Sequence, residues 1–159
     1  MKSVGDRIPE VSVKVARATS NDEVTTTELF AGKTAVLVAV PGAFTPTCSS
    51  KHLPEFVARA GELRAKGVDL IACLSVNDVH VMSAWGSAQS ALDTIAMVAD
   101  GNGDFTRAMG LAFDGTPFGM GERSRRYAAV IVDGVIKSLQ VEAPGKLEVS
   151  TVDAVLAAL

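Results

Sequence analysis

Cysteine, tryptophan and tyrosine are scarce in this chain: two, one and one among 159 residues, with aromatic side chains at 5%. Two cysteines, Cys48 and Cys73, do not make a disulfide scaffold, and their 25-position separation excludes a Cys-x-x-Cys redox pair. Runs of lysine or arginine are missing too, and a net charge of −3 argues against a nucleic-acid face or an anionic membrane partner. No stretch approaches the ~18 consecutive apolar residues of a membrane span. The polar start Met1-Lys-Ser-Val-Gly-Asp-Arg7 lacks a secretory core, so a soluble, cytoplasmic setting is expected. His52 and His80 form no spaced ligand set with the cysteines, and neither a metal nor another cofactor is expected. Gly32-Lys-Thr34 copies only the tail of a phosphate-binding loop, because Thr27 stands where its first glycine should be. Asp100, Asn102 and Asp104 begin like a calcium loop, yet Phe105 and Leu111 replace its glycine and glutamate, which leaves a turn and helix cap.

What the chain does have is a 48% hydrophobic content, enough for one sizeable core and one domain over residues 1–159. Val11 to Ala16 alternates like an edge strand, and Thr34 to Val40 reads as a strand buried on both faces. A short helical turn over Thr25 to Phe30 separates them. Leu53, Phe56, Val57, Ala60 and Leu63 recur at helical spacing within Pro46 to Lys66, and Gly67 reads as the C-cap. Strands over Val68 to Val76 and Thr94 to Val98 alternate with helices over Val79 to Gln89 and Asp104 to Gly110, a pattern that predicts parallel crossovers. Tyr127 to Val141, turning at Asp133-Gly134, reads as an antiparallel hairpin before a last helix over Thr151 to Ala158.

Chemistry concentrates in Pro41-Gly-Ala-Phe-Thr-Pro-Thr-Cys48, which joins the buried strand to the first long helix. Thr45 reads as N-cap, Pro46 as the first helical residue and Cys48 as N3, where unpaired N–H groups and the helix dipole favour an anionic sulfur. A free thiol is only about 3% ionised at pH 7, and full ionisation requires roughly 3 kcal/mol of preferential stabilisation. The dipole supplies at most about 2 kcal/mol, so a cation is needed as well. Arg123-Ser-Arg-Arg126 offers candidates, although spacing alone does not link it to Cys48.

Pro41-x-x-x-Thr45-x-x-Cys48 together with Arg126-Tyr127 resembles the peroxiredoxins, in particular the peroxiredoxin 5 or plant type II branch. The likeness extends through Gly5-Asp-Arg-Ile-Pro9, Lys51-His-Leu-Pro54, Leu74-Ser-Val-Asn-Asp78, Ala84-Trp85 and Ala99-Asp-Gly101. It implies an α/β, thioredoxin-like fold with a central mixed sheet flanked by helices. It also implies a thiol peroxidase that reduces hydrogen peroxide and alkyl hydroperoxides through a sulfenic acid on Cys48. Glutaredoxin with glutathione, or thioredoxin, is the implied reductant, and a homodimer the implied assembly. A peroxide-sensing thiol protein with negligible turnover is the alternative.

As the threonine before Pro46, Thr45 would cap any helix, and the resemblance adds hydrogen bonding between its hydroxyl and the bound peroxide and thiolate. Pro41 either ends the strand or, as in the family, shields the sulfur from water. Arg126, the residue before the aromatic, matches the family arginine, and Arg125 should face the opposite side if the strand has begun there. His52, four residues after Cys48, faces the pocket in a structural role, because an ionised thiol needs no base. Phe44 is expected as a pocket wall and Trp85 as core beside it. Cys73 matches the second cysteine of type II members and is either a resolving thiol or simply packed. Pro54 cannot donate to Ser50 and should kink the helix, which would ease unwinding toward Cys73. The position near Ser150 that holds a resolving cysteine in animal relatives has none.

Overall fold

The computed structural model describes residues 1–159. Ser12–Ala16 (β1) and Asn21–Thr25 (β2) pair antiparallel, and Thr26–Phe30 (α1) follows, capped by the Thr25 hydroxyl accepting from Glu28 N. Thr34–Ala39 (β3) leads to the cysteine-bearing helix, which includes Leu53–Ala58 (α2) and Ala60–Ala65 (α3). Leu70–Ser75 (β4), Val79–Ala88 (α4), Ala96–Ala99 (β5) and Asp104–Met109 (α5) continue the alternation. A small ribbon of Ala112–Asp114 (β6) and Glu122–Ser124 (β7) precedes the hairpin Tyr127–Val132 (β8) and Val135–Val141 (β9), and Val152–Ala158 (α6) closes the chain.

Seven strands form one mixed sheet in the order β2-β1-β5-β4-β3-β8-β9, with β3, β4 and β5 parallel and the outer pairings antiparallel. Side-chain alternation divides β3 between two cores. Val36 and Val38 face Phe56, Leu63, Met82 and Trp85 on the side of α2, α3, α4 and α6. Ala35, Leu37 and Ala39 face Phe30, Phe105 and Met109 on the side of α1 and α5. Cys48 and Cys73 both belong to the first core. Asp133 and Gly134 take positive φ of 48° and 77°, the mirror-image turn that an Asp-Gly hairpin favours.

Three expectations change. The edge is β2, not the strand expected over Val11 to Ala16, because Asn21-Asp-Glu-Val-Thr25 is too polar to read as a strand yet pairs along its full length. The Pro46 to Lys66 helix is not continuous, since Cys48–His52 adopts a π-helical turn and the backbone breaks again at Arg59, with φ −109° and ψ 16°. In that widened turn Leu53 N donates to Cys48 O, five residues back instead of four. Pro54, which lacks an N–H, follows it directly, so a looser turn stands where a kink was expected. Asp100 does cap α5, its two carboxylate oxygens accepting from Phe105 N at 3.1 Å and Thr106 N at 2.8 Å.

Candidate active site

The loop after β3 is held from beneath. Val40 N donates to Leu74 O at 3.0 Å, and Asn77 Oδ1 takes the Ala43 amide at 3.0 Å. Gly42 keeps this loop close-packed: a Cβ there would lie 3.0 Å from Thr45 Cγ2 and 3.1 Å from Met120 Cε, so those side chains would have to shift slightly. The helix starts at Pro46, and Thr45 O accepts its first bond, from Ser49 N at 2.9 Å, as an N-cap residue should. Its hydroxyl does not complete the cap. Thr45 Oγ1 donates to Gly42 O at 2.7 Å, which turns its lone pairs into acceptors and leaves the Cys48 amide without an acceptor.

Cys48 is fully buried at this helix start, and Arg126 reaches it from the residue before β8. Arg126 Nη2 donates to Cys48 Sγ at 3.0 Å, the cation that the dipole alone left wanting. Arg126 is fixed in turn by His52, whose Nδ1 accepts from Nη1 at 2.7 Å. On the other side of the ring, His52 Nε2 donates to the Ser150 carbonyl at 2.8 Å. A guanidinium can only donate and a carbonyl can only accept, so the partners select one neutral tautomer, protonated on Nε2. Burial pulls the pKa of His52 down from 6.5 to about 4, with the Arg126 charge reinforcing it against the Ser150 bond and Glu142.

Ser150 is anchored by a carboxylate. Glu142 Oε2 accepts from the amides of Glu148, Val149 and Ser150 at 2.8, 2.8 and 2.7 Å, and from Ser150 Oγ at 2.7 Å. Burial opposes its ionisation, yet the Ser150 hydroxyl and these amides outweigh it and hold Glu142 below the usual carboxylate range. A continuous chain of contacts therefore runs from Glu142 through Ser150, His52 and Arg126 to the sulfur.

Beside Arg126 opens a cleft of about 390 Å³, lined by Pro41 and Thr45 among others; Cys48, fully buried, is not part of its lining and is linked to it through Arg126. Arg125 lines it too, because β8 starts only at Tyr127 and the expected division of Arg125 and Arg126 between opposite faces does not apply. Arg123 instead braces the loop, donating to Val76 O at 2.9 Å and Met120 O at 2.8 Å. The wall expected of Phe44 is supplied by Phe113, Phe118 and Met120. Phe44 is 54% exposed, takes φ 63° and leans on Trp85 with ring centroids 6.5 Å apart. Trp85 is core as expected, its indole donating to Ser49 Oγ at 2.9 Å.

Cys73 sits in β4 between β3 and β5, paired with Val38 and Met97 and 1% exposed. Burial pushes its thiol well above the ordinary range, and the neighbouring Cys48 adds to this, with Arg126 opposing. Sequence reading missed Glu142. A lone acid after an alternating strand carries no signal of its own, and the following Ala-Pro-Gly marks a turn without showing which side chain will accept its amides.

A thiol on a helix start, an arginine on the thiol and a mixed sheet beneath them define a thioredoxin-like redox protein, and the Redoxin family model matches residues 3–156. Peroxiredoxin-2E, chloroplastic, of Arabidopsis thaliana is 48% identical over 99% of this chain and 69% of its own length. Peroxiredoxin-2B of the same plant is 44% identical over 99% of this chain and 98% of its own. Reduced Prx3 of Vibrio vulnificus, solved with hydrogen peroxide, superposes with a TM-score of 0.93 at 51% identity, covering 99% of this chain and 96% of that one. The chain belongs to the peroxiredoxins, in their peroxiredoxin 5 and plant type II branch, and is a thiol-dependent peroxidase. No helix is long and apolar enough to cross a membrane.

Proposed function

We propose that Cys48 is the peroxidatic nucleophile and that it reduces hydrogen peroxide and alkyl hydroperoxides. The contact from Arg126 Nη2 to Sγ at 3.0 Å carries this reading. The thiolate attacks the terminal oxygen of R–O–O–H in line. An S–O bond forms as the O–O bond breaks, Cys48 becomes a sulfenic acid, and the departing alkoxide takes a proton to leave as alcohol, or as water from hydrogen peroxide. Arg126 stabilises both the thiolate and the charge moving onto the leaving oxygen. Thr45, already donating to Gly42, accepts the peroxide O–H, and Pro41 shields the sulfur at the rim of the cleft. His52 acts through Arg126, holding its plane, and takes no proton. The Vibrio vulnificus relative solved with hydrogen peroxide supports the smallest of these substrates.

An external thiol completes the cycle: it displaces water from the sulfenic acid as a mixed disulfide, and a second thiol releases Cys48. Glutaredoxin with glutathione, or thioredoxin, is the proposed donor, in a reducing compartment such as the cytoplasm. Cys73 is a lesser route, because its thiol is held protonated by burial and its Cα stays in the sheet, so the Cys48–His52 turn must unwind before the two sulfurs meet. The exposure of Phe44 and Phe118, at 54% and 75%, supports a homodimer. The reading is tested by coupled peroxide turnover with each donor on the wild type and on Cys48→Ser. Full turnover by Cys48→Ser would overturn the site, and mass mapping after one peroxide equivalent that finds no internal disulfide would remove the Cys73 route.

A further inference from the structure

The cleft at Arg126, the residue that donates to Cys48 Sγ, is much larger than hydrogen peroxide requires. Its volume of about 390 Å³ falls in the range of sites that enclose whole organic ligands. Phe113, Met120 and Pro144 give it an apolar wall, and Thr45 and Arg126 stand on its lining, Arg126 in contact with the buried sulfur. Two further cations, Arg125 and Lys146, also line it. Neither has a carboxylate within ion-pair distance: the ion pairs of this chain belong to Arg17, Arg59 and Arg107. The one polar bond of the Arg125 side chain is a long 3.4 Å contact to the Glu142 carbonyl. The only acid on the lining, Glu142, is buried and commits Oε2 to four donors of the 148–150 segment. In a chain of net charge −3, unpaired positive charge is thus gathered at an apolar opening.

We propose that this cleft recognises an organic hydroperoxide with an apolar tail and a carboxylate, the tail lying on Phe113, Met120 and Pro144 and the carboxylate held by Arg125 and Lys146. The inference deepens the peroxidase reading and rests on it. The bond changes are those given above, with the carboxylate unchanged. Arg125 and Lys146 differ in what they supply: a planar fork for two carboxylate oxygens, and a mobile point charge at the exposed lip. Both act on capture of the substrate and not on the oxygen–oxygen bond. The preference therefore appears in kcat/KM and weakens with salt.

The test compares two medium-chain hydroperoxides of identical tail, one with a free terminal carboxylate and the other its methyl ester, by the second-order rate of Cys48 oxidation. At low salt the wild type should favour the acid about tenfold, a preference of about 1.4 kcal/mol. It should fall to about twofold in high salt, and Arg125→Gln/Lys146→Gln should react with acid and ester about equally. Lys146→Glu, at an exposed loop position, should favour the ester, and circular dichroism checks that each variant is folded. Equal rates for acid and ester in the wild type, or a full preference in the double variant, would overturn the inference while hydrogen peroxide turnover remained intact. Failure of the wild type to consume hydrogen peroxide through Cys48 would overturn the underlying reading instead.

Discussion

Cys48 and Cys73 lie in the same apolar core with relative exposures of 0% and 1%, yet only Cys48 has a cation within hydrogen-bond distance of its sulfur. Burial alone makes a thiol inert, as at Cys73, where two flanking strands leave room for nothing but packing. Cys48 differs in sitting at a helix start and in having Arg126, 78 positions away in sequence, end its loop against the sulfur. On the proposed reading, reactivity in this core is a property of the partner and not of exposure.

The most severe way to probe the contrast is to remove each sulfur in turn. Cys48→Ser should abolish peroxide consumption, a fall of about 10³-fold or more, while Cys73→Ser keeps turnover with glutaredoxin within about twofold, both followed in a coupled peroxidase assay. If Cys73→Ser fell as far, the distinction between the two cysteines would be lost. Removing the partner comes next: Arg126→Ala should lower kcat/KM about 10²- to 10³-fold, with peroxide oxidation of Cys48 read by stopped flow. Arg126→Lys should recover only part of this, because an ammonium cannot serve Sγ and His52 Nδ1 through one planar fork.

His52 sharpens the comparison further out. Its substitution by alanine should cost about tenfold in kcat/KM through a misaligned Arg126, with His52→Gln recovering part of the loss. Its pKa is lowered from 6.5 to about 4, so between those values the unfolded chain binds the proton and the folded one does not. Stability is therefore full above pH 6.5 and falls as pH drops toward about 4, by an amount on the order of 3 kcal/mol, and urea titrations of wild type and His52→Gln should diverge in that window. Glu142, also lowered, contributes in the same direction at more acidic pH and is common to both proteins. The smallest effect is expected at Cys73→Ala, about 1 kcal/mol in denaturant midpoint from a small cavity, with rates unchanged.

Legibility followed the range of the forces involved. The helix start at Pro46, the buried β3 and the Asp133-Gly134 hairpin rest on neighbours a few residues apart, and local chemistry announces them. The pairing of Arg126 with Cys48 came from the family resemblance, since no local rule joins positions 78 apart. Hidden altogether were the polar strand β2, stabilised by its pairing with β1, and the Glu142 carboxylate, whose partners gather only once the 148–150 segment folds back. The π-helical turn was half visible: Pro54 marked a disturbed helix, but a widened turn and a kink leave the same trace in sequence.

The single tryptophan of the chain is wedged in the core with its indole N–H on the hydroxyl of Ser49, the residue directly after Cys48. A rearrangement that carries Ser49 away breaks this bond and changes the surroundings of the ring. The indole is therefore a built-in optical reporter, and a change in its emission after a peroxide pulse would time such a rearrangement without any added label.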